Sequence, residues 1–160
     1  MIVRELGVDD LAALSEFIID VYNEYPQAMW FESEPSAEEM ERVFYSKIKG
    51  VGSRALVDVV TEDNGTIAGE CEVARVAYDS GVVGIIVRHG YRRKGLGSSM
   101  LDRALGLAYG IGMRRLSAEV MEGNSDALKF FISRGFRPEG QRRVERNGIV
   151  QRFVVVRLTR

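Results

Sequence analysis

The sequence predicts an α+β domain with a mixed, mostly antiparallel sheet of about seven strands flanked by four helices. Two observations predict it. Apolar runs of strand length are separated by turn signals such as Asn64-Gly65 and Asn147-Gly148, which is typical of antiparallel hairpins. Segments with helical periodicity lie between other strands, and such connections place helices against a sheet. The length of 160 residues favours a single domain, which we place at residues 1–160.

In the first half of the chain, two helices precede three successive strands. Apolar residues three to four positions apart follow Asp9 and Asp10, which predicts a helix. Ser36 and Glu39 form a capping-box pattern that begins a second helix. In order, we expect a strand at 1–5, a helix at 9–22, a loop at 24–35, a helix from 36 through 44, and strands at 55–61, 66–76 and 82–87.

In the second half, two helices alternate with strands before a closing hairpin. Asn124 or Ser125 caps the later helix, and Gly135 ends it. In order, we expect a helix at 97–110, a strand at 115–120, a helix ending at 134, and strands at 136–146 and 149–158.

A basic turn with two glycines connects the strand at 82–87 to the next helix. It runs Arg92, Arg93, Lys94, Gly95, Leu96, Gly97 and Ser98. Amides at the start of a helix lack backbone partners and lie at the positive end of its dipole, so they bind phosphate. The glycines remove side chains that would block this approach, and the cations add positive charge. The turn therefore predicts a pyrophosphate-binding site.

A dinucleotide is the rival ligand for this turn. Gly95-Leu96-Gly97 begins like a Rossmann fingerprint, and Glu119 lies roughly where a ribose-binding acid would stand. Met100, however, occupies the place of the third glycine, and two helices and three strands precede the motif. A nicotinamide-dependent oxidoreductase is therefore disfavoured.

The same turn resembles the acyl-CoA-binding motif of the GNAT acyltransferase superfamily, in which Arg or Gln is followed by two residues, Gly, one residue, and Gly or Ala. Arg92, Gly95 and Gly97 match, and the segments 116–124 and 127–136 match further motifs. The resemblance implies a GNAT-like fold and an N-acetyltransferase. Such an enzyme moves an acetyl group from acetyl-CoA, as co-substrate, to a primary amine by direct attack in a ternary complex. The acceptor would be a peptide N-terminus, a polyamine or a small amine, and no metal would take part.

The resemblance also implies the cofactor contacts. The backbone of Val87 and its neighbours would pair with the pantetheine arm, and the Val87 N–H would polarise the thioester carbonyl. Asn124 would contact the cofactor from the far side while capping its helix. The complete expected set is Val87, Arg88, His89, Arg92, Arg93, Lys94, Gly95, Leu96, Gly97, Ser98 and Asn124.

Glu119 is the expected catalytic residue, because peptide N-terminal acetyltransferases of this superfamily carry their general base at the matching position. The alternative is an exposed strand residue without a catalytic role. Glu70 and Glu72 share one face of their strand and are further candidate bases. Phe131 stands where the superfamily usually has the tyrosine that protonates the departing thiolate. Solvent, or a hydroxyl such as that of Tyr91 or Tyr109, would then protonate the thiolate. The missing hydroxyl also leaves an alternative function open, that of a non-catalytic acyl-CoA-binding sensor or regulatory protein.

The acceptor is expected to meet Tyr22, Trp30, Phe31 and Glu70, since aromatic rings beside carboxylates suit an amine with apolar parts. A hydrophobic plug beneath the loop is the alternative. Residues 1–45 contain eleven carboxylates and two arginines, and residues 88–115 have a net charge of +6. This division pairs an anionic cofactor with the basic segment and a cationic acceptor with the acidic one. The alternative is that the acidic residues are the outer faces of helices.

Composition excludes several other classes of protein. No apolar run approaches the ~18 residues of a transmembrane helix. No basic segment followed by an apolar stretch begins the chain, so we expect no secretory leader. Cys71 is the lone cysteine, so neither an intrachain disulfide nor a cysteine metal cluster is expected. We therefore expect a cytoplasmic protein without a membrane partner, and leave a homodimer open. We expect no nucleic-acid partner, because the basic segment is short and one phosphate ligand explains it.

Overall fold

The structure is a computed structural model that describes residues 1–26 and 31–160. In these two ranges, seven strands and four α-helices follow one another in the predicted order, which confirms the fold class. They are β1 (Ile2–Glu5), α1 (Leu11–Glu24), α2 (Ala37–Gly52), β2 (Leu56–Asp63), β3 (Thr66–Ala77), β4 (Ser80–Val87), α3 (Leu96–Gly110), β5 (Arg115–Met121), α4 (Ser125–Ser133), β6 (Arg137–Arg146) and β7 (Ile149–Thr159). A 3₁₀ turn at His89–Tyr91 follows β4.

The strands form one sheet in the order β1-β2-β3-β4-β5-β7-β6. Neighbouring strands are antiparallel except β4 and β5, which run parallel. Within the described ranges, β4 and β5 pair at Ser80–Arg115, Gly81–Leu116 and Val82–Ser117, and their pairing then stops. Residues 83–87 of β4 and 118–121 of β5 therefore border an opening in the sheet, which we call the strand gap.

Two hydrophobic cores lie on opposite faces of the sheet. Alternate residues of a strand point to opposite faces, and the adjacent residues Val59 and Val60 accordingly lie in different cores. Val59 packs with buried residues of α3 and α4, and Val60 packs with those of α1 and α2. We call these sides of the sheet the α3 face and the α1–α2 face.

Local signals explain most element boundaries. Ser36 accepts a hydrogen bond from the Glu39 amide (3.1 Å), and Glu39 accepts one from the Ser36 amide (3.3 Å), so the predicted capping box is confirmed. Both residues of the Asn64-Gly65 turn have positive φ, as a type I′ hairpin requires. Most boundaries lie within two residues of the prediction, and the end of α2 is eight residues later. β4 begins at Ser80 because residues 80–82 pair with strands on both sides, and α2 continues to Gly52 because Lys47 and Ile48 still pack inward.

A cavity of about 550 Å³ lies beside β1, far from the strand gap, and its lining includes Arg4, Asp10 and Glu62. Arg4 donates to both carboxylates at 2.8 Å, and this hydrogen bonding lowers the pKa of Asp10. Because these charges satisfy one another, we assign them to fastening β1 to α1 and β2. No helix in the described part of the chain is both long enough and apolar enough to cross a membrane.

Candidate active site

The basic turn places the start of α3 at the open end of the strand gap. Gly95, the residue before α3, has φ of +79° and offers no side chain to cap the helix. The Ser99 amide makes the first bond of the helix, to the Gly95 carbonyl at 3.1 Å. The amides of Leu96, Gly97 and Ser98 precede that bond and are therefore available to an anion. This is the backbone arrangement that the predicted phosphate site requires, and phosphate binding stays a prediction.

The cations around this turn have partners of their own. Arg88 donates to Asp20 of α1 at 2.5 Å and to the Ile67 carbonyl at 3.1 Å, so its side chain fastens the end of β4 to α1. Arg92 donates to the Tyr25 hydroxyl at 3.0 Å. His89 lies 3.4 Å from a carboxylate oxygen of Glu24. The predicted contacts of Arg88, His89 and Arg92 with the cofactor remain predictions. In the structure, these three side chains hold the turn against α1 and the residue that follows it.

Arg93 and Lys94 are placed more openly. Arg93, with φ of +61°, pairs with Asp126 at 3.5 Å, and both side chains are largely exposed. The Lys94 ammonium lies 5.6 Å from the ring centre of Tyr91. An exposed pair of this kind holds its partners weakly, so both cations can turn toward a bound anion.

The backbone of Val87 points into the strand gap. The Arg88 amide donates to the Ala68 carbonyl of β3 at 2.8 Å. In an antiparallel ladder, hydrogen bonding to a given neighbour alternates along the strand, so the Val87 N–H and C=O point away from β3. The carbonyl accepts from Arg92 Nε at 3.2 Å, and the amide faces the gap. This is the orientation that the predicted role of Val87 requires.

Glu119 lies across the strand gap from β4. Its neighbours Ala118 and Val120 are buried in the α3-face core, so Glu119 is on the α1–α2 face. Its side chain is 23% exposed and accepts a hydrogen bond from Arg142 of β6 at 2.5 Å. Sequence reasoning missed Arg142. Strand register brings them together, because Arg142 pairs with Phe153, and Phe153 with Met121, two residues beyond Glu119.

A second charged group lies under α2 on the same face, and we call Lys47, Asp58, Glu70 and Glu72 the Lys47 cluster. The Lys47 ammonium lies 2.7 Å from Glu72, 3.0 Å from Glu70 and 3.4 Å from Asp58. Glu70, an expected acceptor contact, is only 9% exposed here, whereas Glu72 is 37% exposed. Sequence reasoning missed Lys47, although its spacing from the buried Phe44 places it on the inner stripe of α2.

Burial dominates the electrostatics of the Lys47 cluster. Burial and the neighbouring Glu70 carboxylate raise the pKa of Asp58 to about 10, while the carboxylates raise the pKa of Lys47. Asp58 Oδ1 has no hydrogen-bond partner among the described residues. A proton on Asp58 resolves this, because the carboxyl can then donate to Glu70. The three carboxyl groups lie close enough to hold a cation, with oxygens within 4.8 Å of one another, and the Lys47 ammonium occupies that position.

Similar proteins identify the family of this chain. The model of the acetyltransferase (GNAT) family matches residues 16–136. The chain belongs to this family. A Bacillus subtilis (strain 168) protein named as a phosphinothricin acetyltransferase, YwnH, is 30% identical over 128 residues, covering 76% of this chain and 77% of the relative. GNAT membership makes the chain an acetyltransferase, as predicted, and sets the dinucleotide alternative aside.

Two solved structures share the GNAT fold of this chain. A ribosomal-protein-alanine N-acetyltransferase from Brucella melitensis has a TM-score of 0.84 at 18% identity, covering 99% of both chains. An acetyltransferase from Salmonella typhimurium, solved with its cofactor acetyl-CoA, has a TM-score of 0.82 at 19% identity, covering 99% of this chain and 93% of that one. These likenesses concern the fold.

Asn124 occupies its predicted place at the start of α4 in the GNAT fold. Its side-chain oxygen accepts from the Ala127 amide at 3.1 Å, so the helix cap is confirmed. Asn124 also lines a cavity of about 140 Å³ at the end of β5, together with Val120 and Leu128. The expected cofactor contact of Asn124 remains a prediction that this position favours.

The predicted aromatic acceptor residues come together in part. The rings of Tyr22 and Phe31 meet edge to face with centroids 6.4 Å apart. Phe31 also packs against the core beneath α1 and α2, so it contributes to the hydrophobic plug that was the alternative. Trp30 lies outside the described residues.

Phe131 has no hydroxyl, and the resemblance to the family expects the acid at this position. Its ring is 5% exposed and packs between Phe130 and Phe136, with centroids 5.4 Å and 5.1 Å away. Neither suggested substitute is free to serve. The Tyr91 hydroxyl donates to Asp63 at 2.7 Å, which raises the pKa of Tyr91. Tyr109 lies at the far end of α3, roughly 20 Å from its start.

Proposed function

We propose that this chain transfers an acetyl group from acetyl-CoA to a primary amine by direct attack within a ternary complex. One observation carries the proposal: β4 and β5 separate after three residue pairs of the described chain, and the uncapped start of α3 faces the opening. A pyrophosphate fits the amides of Leu96, Gly97 and Ser98, and an extended arm fits the gap, where it replaces the missing strand pairing.

The Val87 amide supplies the electrostatic part of catalysis. It faces the gap, so a thioester carbonyl placed there accepts its hydrogen bond. As the amine attacks the carbonyl carbon, negative charge develops on that oxygen, and a fixed donor stabilises it without reorganisation. Collapse of the tetrahedral intermediate breaks the carbon–sulfur bond and releases the thiolate of CoA. Because Phe131 has no hydroxyl, the thiolate takes its proton from solvent.

Glu119 is the proposed general base. An amine resembling that of lysine has a pKa near ~10 and is mostly protonated at neutral pH, so its proton must be removed before it attacks. Glu119 takes this proton, directly or through a water, while Arg142 holds the carboxylate in place. The acidic side chains of the α1–α2 face favour a cationic acceptor.

Release of free thiol from acetyl-CoA, measured with pooled primary amines, tests the transferase activity. Glu119→Gln is expected to lower the rate about 10²–10⁴-fold at neutral pH and much less at high pH, where solution supplies neutral amine. Glu145→Gln, an exposed carboxylate of β6, is the matched control. An unchanged pH–rate profile in Glu119→Gln would remove Glu119 from catalysis.

The alternative, a non-catalytic acyl-CoA sensor, is favoured by the buried phenyl ring of Phe131. The two functions differ in one measurement. A wild type that binds acetyl-CoA by calorimetry but releases no thiol with any amine would overturn the transferase proposal and support the sensor.

A further inference from the structure

Strand pairing aligns three residues of the α1–α2 face across the strand gap. Glu72 of β3 pairs with Gly84 of β4. The parallel register pairs Val82 with Ser117, and two residues further on it places Gly84 level with Glu119. Glu72 and Glu119 therefore stand on either side of Gly84, one on each side of the opening.

Gly84 is exposed, although β4 is the central strand of the seven that the described residues form. A Cβ at this position would meet just one described atom within 4 Å, the Glu72 Cγ at 3.8 Å. The glycine thus leaves an open hollow in the middle of the face. We call the surface formed by Glu72, Gly84 and Glu119 the glycine notch.

Glu72 is the solvent-facing end of the Lys47 cluster. Its Oε2 atom accepts from Lys47 at 2.7 Å, which fixes the side chain beside the notch. Glu72 accepts no other hydrogen bond from the described residues, so its Oε1 atom can accept one from a ligand. With a proton on Asp58, the cluster still has one more negative charge than positive, because Glu70 and Glu72 face a single ammonium.

We propose that Glu72 binds a second cationic group of the acceptor, and that Gly84 admits the acceptor between Glu72 and Glu119. This inference rests on the proposed function and names its substrate class: a primary amine with another cationic nitrogen. Glu72 is held by Lys47 on one side of the notch and Glu119 by Arg142 on the other, so each carboxylate is fastened to its own side. Their Cα atoms lie two strand spacings apart, about 10 Å or more, and an acceptor with one nitrogen for each carboxylate fits this arrangement. The reacting nitrogen faces Glu119, and the second nitrogen faces Glu72.

The test compares a linear diamine with a monoamine of equal chain length, both at saturating acetyl-CoA. The wild type should prefer the diamine, mainly through a lower KM. Glu72→Gln should lower kcat/KM for the diamine roughly 10- to 100-fold, as expected for loss of a charge-assisted hydrogen bond, and bring the preference close to one. Glu145→Gln is the control and should keep the wild-type preference.

Gly84→Leu provides the second arm. Leucine fills the notch without backbone strain, because Gly84 is not among the residues with positive φ. Acceptor KM should rise for both amines, while the dissociation constant of acetyl-CoA stays unchanged. Thermal unfolding of each variant verifies that it is folded.

Calorimetric titration of the diamine into the CoA-saturated protein tests Glu72 independently of turnover. Binding that weakens at least tenfold in Glu72→Gln supports the inference, even if the wild type releases no thiol and the transferase proposal fails. Equal diamine binding and equal preference in wild type and Glu72→Gln would overturn it. So would an unchanged acceptor KM in Gly84→Leu, although the transferase proposal would then stand.

Discussion

Replacing Lys47 with methionine is expected to lower the free energy of unfolding by about 3–5 kcal/mol at pH 7. The Lys47 side chain is 13% exposed and its ammonium lies within 3.4 Å of three carboxyl groups. Methionine keeps the length of the side chain but leaves Glu70 buried without a counter-ion. The raised pKa of Lys47 means that its contribution is fully present below the ordinary lysine pKa and is lost only at higher pH.

Urea unfolding followed by circular dichroism measures this loss. With a slope near 2 kcal/mol per molar urea, the midpoint should fall by about 2 M. Lys49→Met, on the exposed side of the same helix, is the control and should change the free energy by less than about 1 kcal/mol. Because the carboxyls of the variant take up protons in acid, the difference should shrink as the pH falls toward 5. A loss below about 1 kcal/mol at pH 7 would refute the argument that Lys47 neutralises a buried cluster.

Two further outcomes are expected. Gly97→Glu should weaken acetyl-CoA binding at least about tenfold while the protein stays folded. A Cβ at residue 97 would lie 3.5 Å from the Phe130 ring, an ordinary contact, and the carboxylate would add negative charge beside the proposed phosphate site. Gly97→Ala should weaken binding less, and wild-type affinity of folded Gly97→Glu in calorimetry would contradict the phosphate site. Asp58→Asn should flatten the dependence of stability on pH. The raised pKa of Asp58 makes the wild type lose stability as pH rises from about 4 toward 10, with a limit for one proton of about 1.4 kcal/mol per pH unit, and asparagine does not titrate. Unfolding in urea at pH 5, 7 and 9 measures this slope, and equal slopes in both proteins would argue against a proton held on Asp58.

Local signals in the sequence were sufficient to predict the order of the elements. The capping box of Ser36 and the Asn64-Gly65 turn depend on neighbouring residues alone, and both form as predicted. The start of β4 at Ser80 could not be predicted in this way, because residues 80–82 owe their extended conformation to strands on both sides.

The backbone of the site was easier to predict than its side chains. Gly95 and the start of α3 are fixed by local conformation, so the turn and the helix after it could be predicted from the sequence. Arg88, by contrast, binds Asp20, which lies 68 residues earlier in the chain. Lys47 of α2 likewise binds Glu70 of β3, and Arg142 of β6 binds Glu119 of β5. Pairing over such distances depends on strand register, which periodicity in one segment does not reveal.

The short contact between β4 and β5 has a mechanical consequence. In the described part of the chain, three residue pairs of the sheet join its β1–β4 half to the half made of β5, β7 and β6, and the two halves also share the core of the α3 face. Glu72 and Gly84 belong to one half, and Glu119 to the other. We expect a small rotation of one half against the other to change the width of the notch. We therefore expect substitutions at Val82 or Ser117, which lie outside both the notch and the proposed phosphate site, to change the range of acceptor lengths used in the proposed reaction.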